Sequence, residues 1–216
     1  MPDSLNFPSK EPHEIAYHIG VLCIQWSGLE KLLDHVLVRY LDITDSTKQS
    51  VLLGALDMRR KISMVKTLAV TKESLDQFAE FEQLLNFTDN TLRPERNRFV
   101  HDYYHFTPEI ANLTTVKTQI MKSSDGGRTL SPFSSRPVTP SEIKELTDDV
   151  EAAAMCAALM VTTVMMDRKK ATPEGLRAWD AVYREYFDAL KAVMAKYKSR
   201  TSAAGSVSPR SSGESS

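Results

Sequence analysis

The chain has 216 residues, 42% hydrophobic and 25% charged, with a formal net charge of −1. That is ordinary globular composition, enough to bury a core without staples, and it suggests one domain or at most two. Near-neutral charge excludes a global basic field of the kind that announces nucleic-acid binding, so any such binding must come from local patches.

Cys23 and Cys156, the two cysteines, both lie in apolar helical patterns with no CxxC pair. They read as buried, reduced thiols. No charged-then-apolar leader opens the chain. The most apolar run, Ala152 to Met166, is too short and too rich in Thr and Ala for a membrane span. The expectation is a soluble, cytoplasmic protein with no membrane partner.

Residues 1–13, with Pro2, Pro8 and Pro12, read as an extended arm. A first helix is predicted from about Glu14 to Leu41. Its stripe is Ile15, Ile19, Leu22, Trp26, Leu29, Leu33, Val36 and Tyr40, in steps of three and four. At about 1.5 Å per residue it is roughly 40 Å long, a length typical of bundles. Glu30, Asp34 and His35 lack the Glu-x-x-His spacing of di-iron helices, and read as a solvated face.

A second helix is predicted from about Thr47 to Val70, on Val51, Ala55, Met58, Ile62, Val65 and Leu68. Arg59, Arg60 and Lys61 interrupt it as a basic knot. They read as a solvated face, or in the sharper reading as a phosphate-contacting patch. A third helix starts near Ser74 and weakens at Thr88-Asp89-Asn90-Thr91. Pro94 has no N–H to donate and clashes with the preceding turn, so the helix either kinks or stops. The preferred reading is a stop, with a fourth helix capped by Thr91 and carrying Pro94 in its first turn.

Residues 106–138 look different. Thr114 to Met121 alternates and is rich in β-branched residues, Ser123 to Gly127 is a turn signal, and Arg128 to Phe133 can return as a strand. A small hairpin insertion, or a loop that mimics one, is expected; Pro132 and Pro137 argue against a central strand. Thr139-Pro140-Ser141-Glu142 then has the layout of a capping box with proline at the first helical position. It opens a helix to about Met166, and Thr172-Pro173-Glu174 opens a last one. From Ser199 the chain turns into a Ser/Gly/Ala-rich tail without apolar periodicity, expected to be disordered. The expected fold is all-α: an antiparallel bundle of about five or six helices over residues 14–198, with a β-hairpin-like insertion at about 106–138 and a tail at 199–216.

No glycine-rich phosphate loop or nucleophile elbow is present. His101 and His105 stand four apart, but a third and fourth zinc ligand are lacking beyond Asp102. The stretch Arg96-Asn97-Arg98-Phe99-Val100-His101-Asp102-Tyr103 concentrates the chemistry. Asn97 and His101 are four apart and share a helix face, so the amide can orient the imidazole. Arg96 and His101 are separated by about 140° around an ideal helix. Their tips do not converge naturally within one helix, which points to a homodimer bringing two copies together across a two-fold axis. The bland alternative pairs Arg96 with Glu95, Asp89 or Asp102 and leaves His101 a surface histidine.

Arg96-Asn97-x-x-x-His101 resembles the Arg-polar-x3-His signature of the HEPN superfamily, helical bundles that dimerise and often act as metal-independent endoribonucleases in toxin systems or phage defence. The run Trp26 to Glu30 in a long first helix is similar to small bacterial HEPN proteins, and the resemblance covers roughly residues 14–197. Tyr103 extends the match to the form found in toxins paired with nucleotidyltransferase antitoxins, although nothing else in the chain indicates such an antitoxin or regulatory partner. The resemblance implies Arg96, Asn97 and His101 as catalytic residues acting on RNA, without metal or cofactor. RNA carries its own nucleophile, the 2′-hydroxyl. A histidine can take that proton or protonate the leaving oxygen, and an arginine can hold the charged phosphate. Arg93, Arg98, Tyr103, Arg59 and Arg60 are the candidate substrate contacts, with Tyr103 and Tyr104 able to stack bases or to pack in the core. The competing reading is a HEPN-like module that binds RNA, a nucleotide or a protein without cutting.

Overall fold

A computed structural model describes the backbone of residues 11–101, 103–107, 110–117, 120–122, 128–130, 134–166 and 171–205, with side chains at 13–101, 138–166 and 171–200. Helices make up most of it. The chain separates into two compact units, Met1–Met165 and Met166–Ser216.

Helix α1 spans Glu11–Leu41. Ile15, Leu22, Trp26, Leu29, Leu33, Val36 and Tyr40 are all buried. That stripe packs chiefly along α6 (Pro140–Met165) and secondarily against α3 (Met58–Lys72). The start of α6 is locally encoded. Thr139 Oγ1 accepts from the Glu142 backbone N–H at 3.2 Å, and Glu142 Oε2 accepts from that of Thr139 at 3.1 Å. Two donors left over at the helix start are thereby satisfied reciprocally.

The single helix expected from Thr47 to Val70 is two. α2 covers Ser46–Gly54, and α3 starts afresh after Asp57, whose carboxylate accepts from the Arg60 backbone N–H at 2.8 Å. The periodicity runs on through the break because both pieces are helical, but Val51 is exposed and α2 buries none of its residues. α2 ends at Gly54 with Ala55 as its C-cap, and Asp57 caps the start of α3, where the apolar pattern gave no warning.

The break expected before Pro94 is also corrected. α4 (Leu75–Phe87) runs without interruption through a π-helical turn, Thr88–Leu92, into α5 (Arg93–His101). Thr91 is therefore inside a helix and not its cap. The Arg93 N–H bonds to the Thr88 carbonyl, five residues back. A π turn widens the helix, and such a turn can absorb the ring of Pro94 and its missing N–H. Thr88 and Leu92 are both buried, which anchors the widened turn.

The insertion is larger than one hairpin. Among the described residues, β1 (Tyr103–Thr107), β2 (Ile110–Lys117) and β5 (Ser134–Val138) form an antiparallel sheet in the order β1-β2-β5, while β3 (Ile120–Lys122) pairs separately with β4 (Arg128–Leu130). Pro137 lies on the edge strand β5, opposite Thr114, where its missing N–H is tolerated.

α7 (Pro173–Gly205) is described by itself: Tyr183 stacks on Phe187, ring centroids 4.6 Å apart. It continues past Ser199, where the tail was expected to begin; residues 206–216, like 1–10, lie outside the described ones. Among the described residues no helix is long and apolar enough to cross a membrane.

Candidate active site

α5 is polar because it carries Arg93, Glu95, Arg96, Asn97, Arg98 and His101 in nine residues, and Phe99 is the residue it buries. Its arginines are sorted by partner. Arg93 Nε lies 2.7 Å from Asp89 Oδ1, and Arg98 Nη2 lies 3.0 Å from Glu95 Oε2. These i,i+4 and i,i+3 pairs are the contacts a helix surface favours. They occupy two of the carboxylates that could have neutralised Arg96.

Arg96 turns elsewhere. Its Nη1 donates to Asn97 Oδ1 at 3.2 Å and lies 3.0 Å from His101 Nε2. Guanidinium offers only donors, so a hydrogen bond across this contact requires Nε2 to accept, as it does in the tautomer that carries its proton on Nδ1. Arg96 Cζ also stands over the Trp26 ring, 5.8 Å from its centroid. That is within reach of a cation–π attraction. Arg96 Nε is buried and has no hydrogen-bond partner among the described residues.

The expectation that Arg96 and His101 cannot converge within one helix is therefore overturned. The angle between their Cα positions is wide, but the arginine side chain is long. It can wrap around the helix past Asn97, while a helical His101 leans back toward the N-terminus. With the two groups in contact inside one chain, the geometric reason for requiring a second copy disappears.

The other candidates are dispersed. Arg60 backs onto its own helix cap, its Nε 3.9 Å from Asp57 Oδ2, and Arg59 is exposed. Tyr103 follows α5 in β1, opposite Val116, with its side chain outside the described ones, as is that of Tyr104. Because β1 begins at Tyr103, His101 and His105 do not share a helix face as a zinc pair would. Among the described residues no group of three His, Cys, Asp or Glu side chains is placed to hold a metal ion.

Two features escaped the sequence reading. Trp26 looked like one more core position, and only packing of α1 against α5 brings it to Arg96. Of the face of α1 read as solvated, His35 is exposed and Glu30 partly so, but Asp34 is buried in an ion-pair cluster. Lys61 and Asp34 are each 4% exposed, and Lys61 Nζ lies 2.8 Å from Asp34 Oδ1 and 2.7 Å from Glu30 Oε1. Burial by itself would lower the Lys61 pKa, but the hydrogen bonds and charges of Asp34 and Glu30 carry it above the ordinary lysine value. The spacing Trp26, Glu30, Asp34, in steps of four, was the available signal: it puts both acids in line with a core residue. Cys156 is buried, and burial pushes its thiol up to about 12, which fits an inert core position.

Comparison with family models, with curated proteins and with solved structures returns no match.

Proposed function

We propose that this chain is a HEPN-type, metal-independent endoribonuclease in which Arg96, Asn97 and His101 act together on a phosphodiester. The observation that carries the reading is the 3.0 Å approach of Arg96 Nη1 to His101 Nε2. It joins a permanent cation to a proton acceptor at hydrogen-bond distance, the two functions that cleavage by a 2′-hydroxyl needs.

A sequence of roles follows from the same contact. In the resting arrangement Arg96 covers the lone pair on Nε2. A substrate phosphate competes for the guanidinium, since charge-assisted bonds to phosphate are stronger than a bond to neutral imidazole. As Arg96 turns to the phosphate, Nε2 is released to take the 2′-hydroxyl proton. The 2′-oxygen bonds to phosphorus as the P–O5′ bond breaks, the leaving 5′-oxygen takes a proton from water, and the products are a 2′,3′-cyclic phosphate and a 5′-hydroxyl. His101 is the last residue of α5, where the carbonyl end of the helix favours the positive charge the ring gains. The unpartnered Arg96 Nε fits a group held away from its best hydrogen bonding until an anion arrives.

RNA is the partner in this reading. A homodimer, a cytoplasmic setting and a role in toxicity or phage defence, with or without an antitoxin, rest on the family resemblance alone. A second reading is a non-cleaving module that binds RNA, a nucleotide or a protein. The ion pairs of Arg93 and Arg98 favour it, because they neutralise the two arginines that flank Arg96 on α5.

The test is incubation of purified protein with mixed-sequence RNA in EDTA, beside Arg96→Ala and His101→Ala. Wild type should cut and leave cyclic phosphate ends, and neither variant should. Activity abolished by the chelator, or retained in the variants, would overturn the mechanism. In a growth assay, expression should slow bacteria only with both residues intact.

A further inference from the structure

Trp26 lies on α1, seventy residues before Arg96, and is 5% exposed. It packs beneath a guanidinium whose Nη1 reaches both Asn97 and His101. A long arginine has several rotatable bonds, and holding it in one arrangement costs side-chain entropy. Neither hydrogen bond fixes the plane of the guanidinium, because both use the same nitrogen. The indole supplies a further constraint from another helix: its ring lies 5.8 Å from Arg96 Cζ, within cation–π reach. The neighbouring acids do not compete, since Asp89 and Glu95 are taken by Arg93 and Arg98.

We infer that Trp26 is a positioning residue: its indole face holds the Arg96 guanidinium against His101 Nε2 and thereby sets the tautomer of that imidazole and the starting place of the phosphate-binding cation. The catalytic part of this inference rests on the ribonuclease reading; the positioning part does not. With the ring present, Arg96 keeps Nε2 as the acceptor and the proton on Nδ1. Without it the guanidinium samples other rotamers, and the ring nitrogens of His101 exchange roles.

The experiment compares wild type, Trp26→Phe and Trp26→Met. Phenylalanine retains a π face and methionine fills space without one. Long-range 1H–15N spectra above neutral pH read the His101 tautomer directly, and melting temperatures follow the loss of packing separately. Wild type and Trp26→Phe should show mainly the Nδ1–H form, and Trp26→Met a mixture. In RNA cleavage, kcat should fall roughly tenfold in Trp26→Met with little change in KM, and Trp26→Phe should recover most of it. An unchanged tautomer and kcat in Trp26→Met would overturn the inference, as would equal losses in both variants tracking their melting temperatures. If Trp26→Met fails to fold, wild type alone decides: the Arg96 side-chain protons should carry a ring-current shift from the indole, and its absence sinks the inference. If wild type cuts no RNA while the tautomer follows the ring, the ribonuclease reading falls and the positioning role stands.

Discussion

Arg96 and His101 meet within a single chain, guanidinium Nη1 to imidazole Nε2 at 3.0 Å, with Asn97 Oδ1 taking the same nitrogen at 3.2 Å. Arg96→Lys should fail to replace arginine, because an ammonium on a flexible stem lacks the planar fork and cannot stack on Trp26 in the same way. Expected losses in kcat are about 10²–10³-fold for Arg96→Lys and roughly 10²–10⁴-fold for His101→Ala. Asn97→Ala should cost about tenfold, the worth of one hydrogen bond to a charged group. Single-turnover cleavage of an oligoribonucleotide measures all three, and an Arg96→Lys enzyme as fast as wild type would contradict the role given to the fork.

A site completed within one chain makes a clear statement about mixtures. Arg96→Ala and His101→Ala proteins, unfolded together and refolded, should remain inactive. If the site instead took its arginine from one copy and its histidine from another, half of the sites in a mixed dimer would be whole and activity would return. Recovery on mixing would restore the two-fold model that the intrachain contact replaces.

Lys61 is held between Glu30 and Asp34, and Asp34 also meets Lys31 at 3.2 Å. Removing the ammonium leaves the buried Asp34 carboxylate with only the exposed Lys31 as partner, so Lys61→Ala should lower stability by about 3 kcal/mol in urea denaturation. Lys61→Met with Asp34→Leu should recover most of that loss, because an apolar pair of similar size avoids desolvating both charges. A Lys61→Ala protein as stable as wild type would mean that water reaches the cluster.

Tyr40 donates to Glu73 Oε1 at 2.9 Å and is buried. Burial first, then the hydrogen bond and the negative charge of Glu73, raise its pKa far above the ordinary 10.0. The folded state thus binds this proton more tightly than the unfolded chain. Its contribution is complete below about pH 10 and is lost as pH rises beyond that point. Lys61, raised above its ordinary 10.5, acts in the same direction at slightly higher pH. Tyr40→Phe should cost about 1 kcal/mol at pH 8 and flatten the fall of the melting temperature between pH 10 and 11. An equally steep fall in the variant would assign the alkaline transition to other groups.

Local chemistry was legible in the sequence. The buried stripe of α1 follows from apolar residues recurring every three or four positions, and the start of α6 from a Thr and a Glu three apart. The candidate cluster on α5 was legible too, since Arg96, Asn97 and His101 fall within two turns. Asp57 as a cap was harder, because the apolar steps run on past it, and the polar run before Pro94 marked a disturbance without distinguishing a helix end from a π turn.

The sequence by itself determined that the chain is mainly helical and which faces of its long helices are apolar, because those depend on neighbours a few residues away, but not every helix boundary. Helix-local pairing gave Asp89 and Glu95 to Arg93 and Arg98 and left Arg96 to His101, while tertiary structure alone brought Lys61 to Glu30 and Asp34 and set Trp26 beside Arg96. Spacing along a helix fixes the angle between two Cα atoms; the reach of a long side chain decides whether the groups meet, and a helix seventy residues away sets the ring beside it.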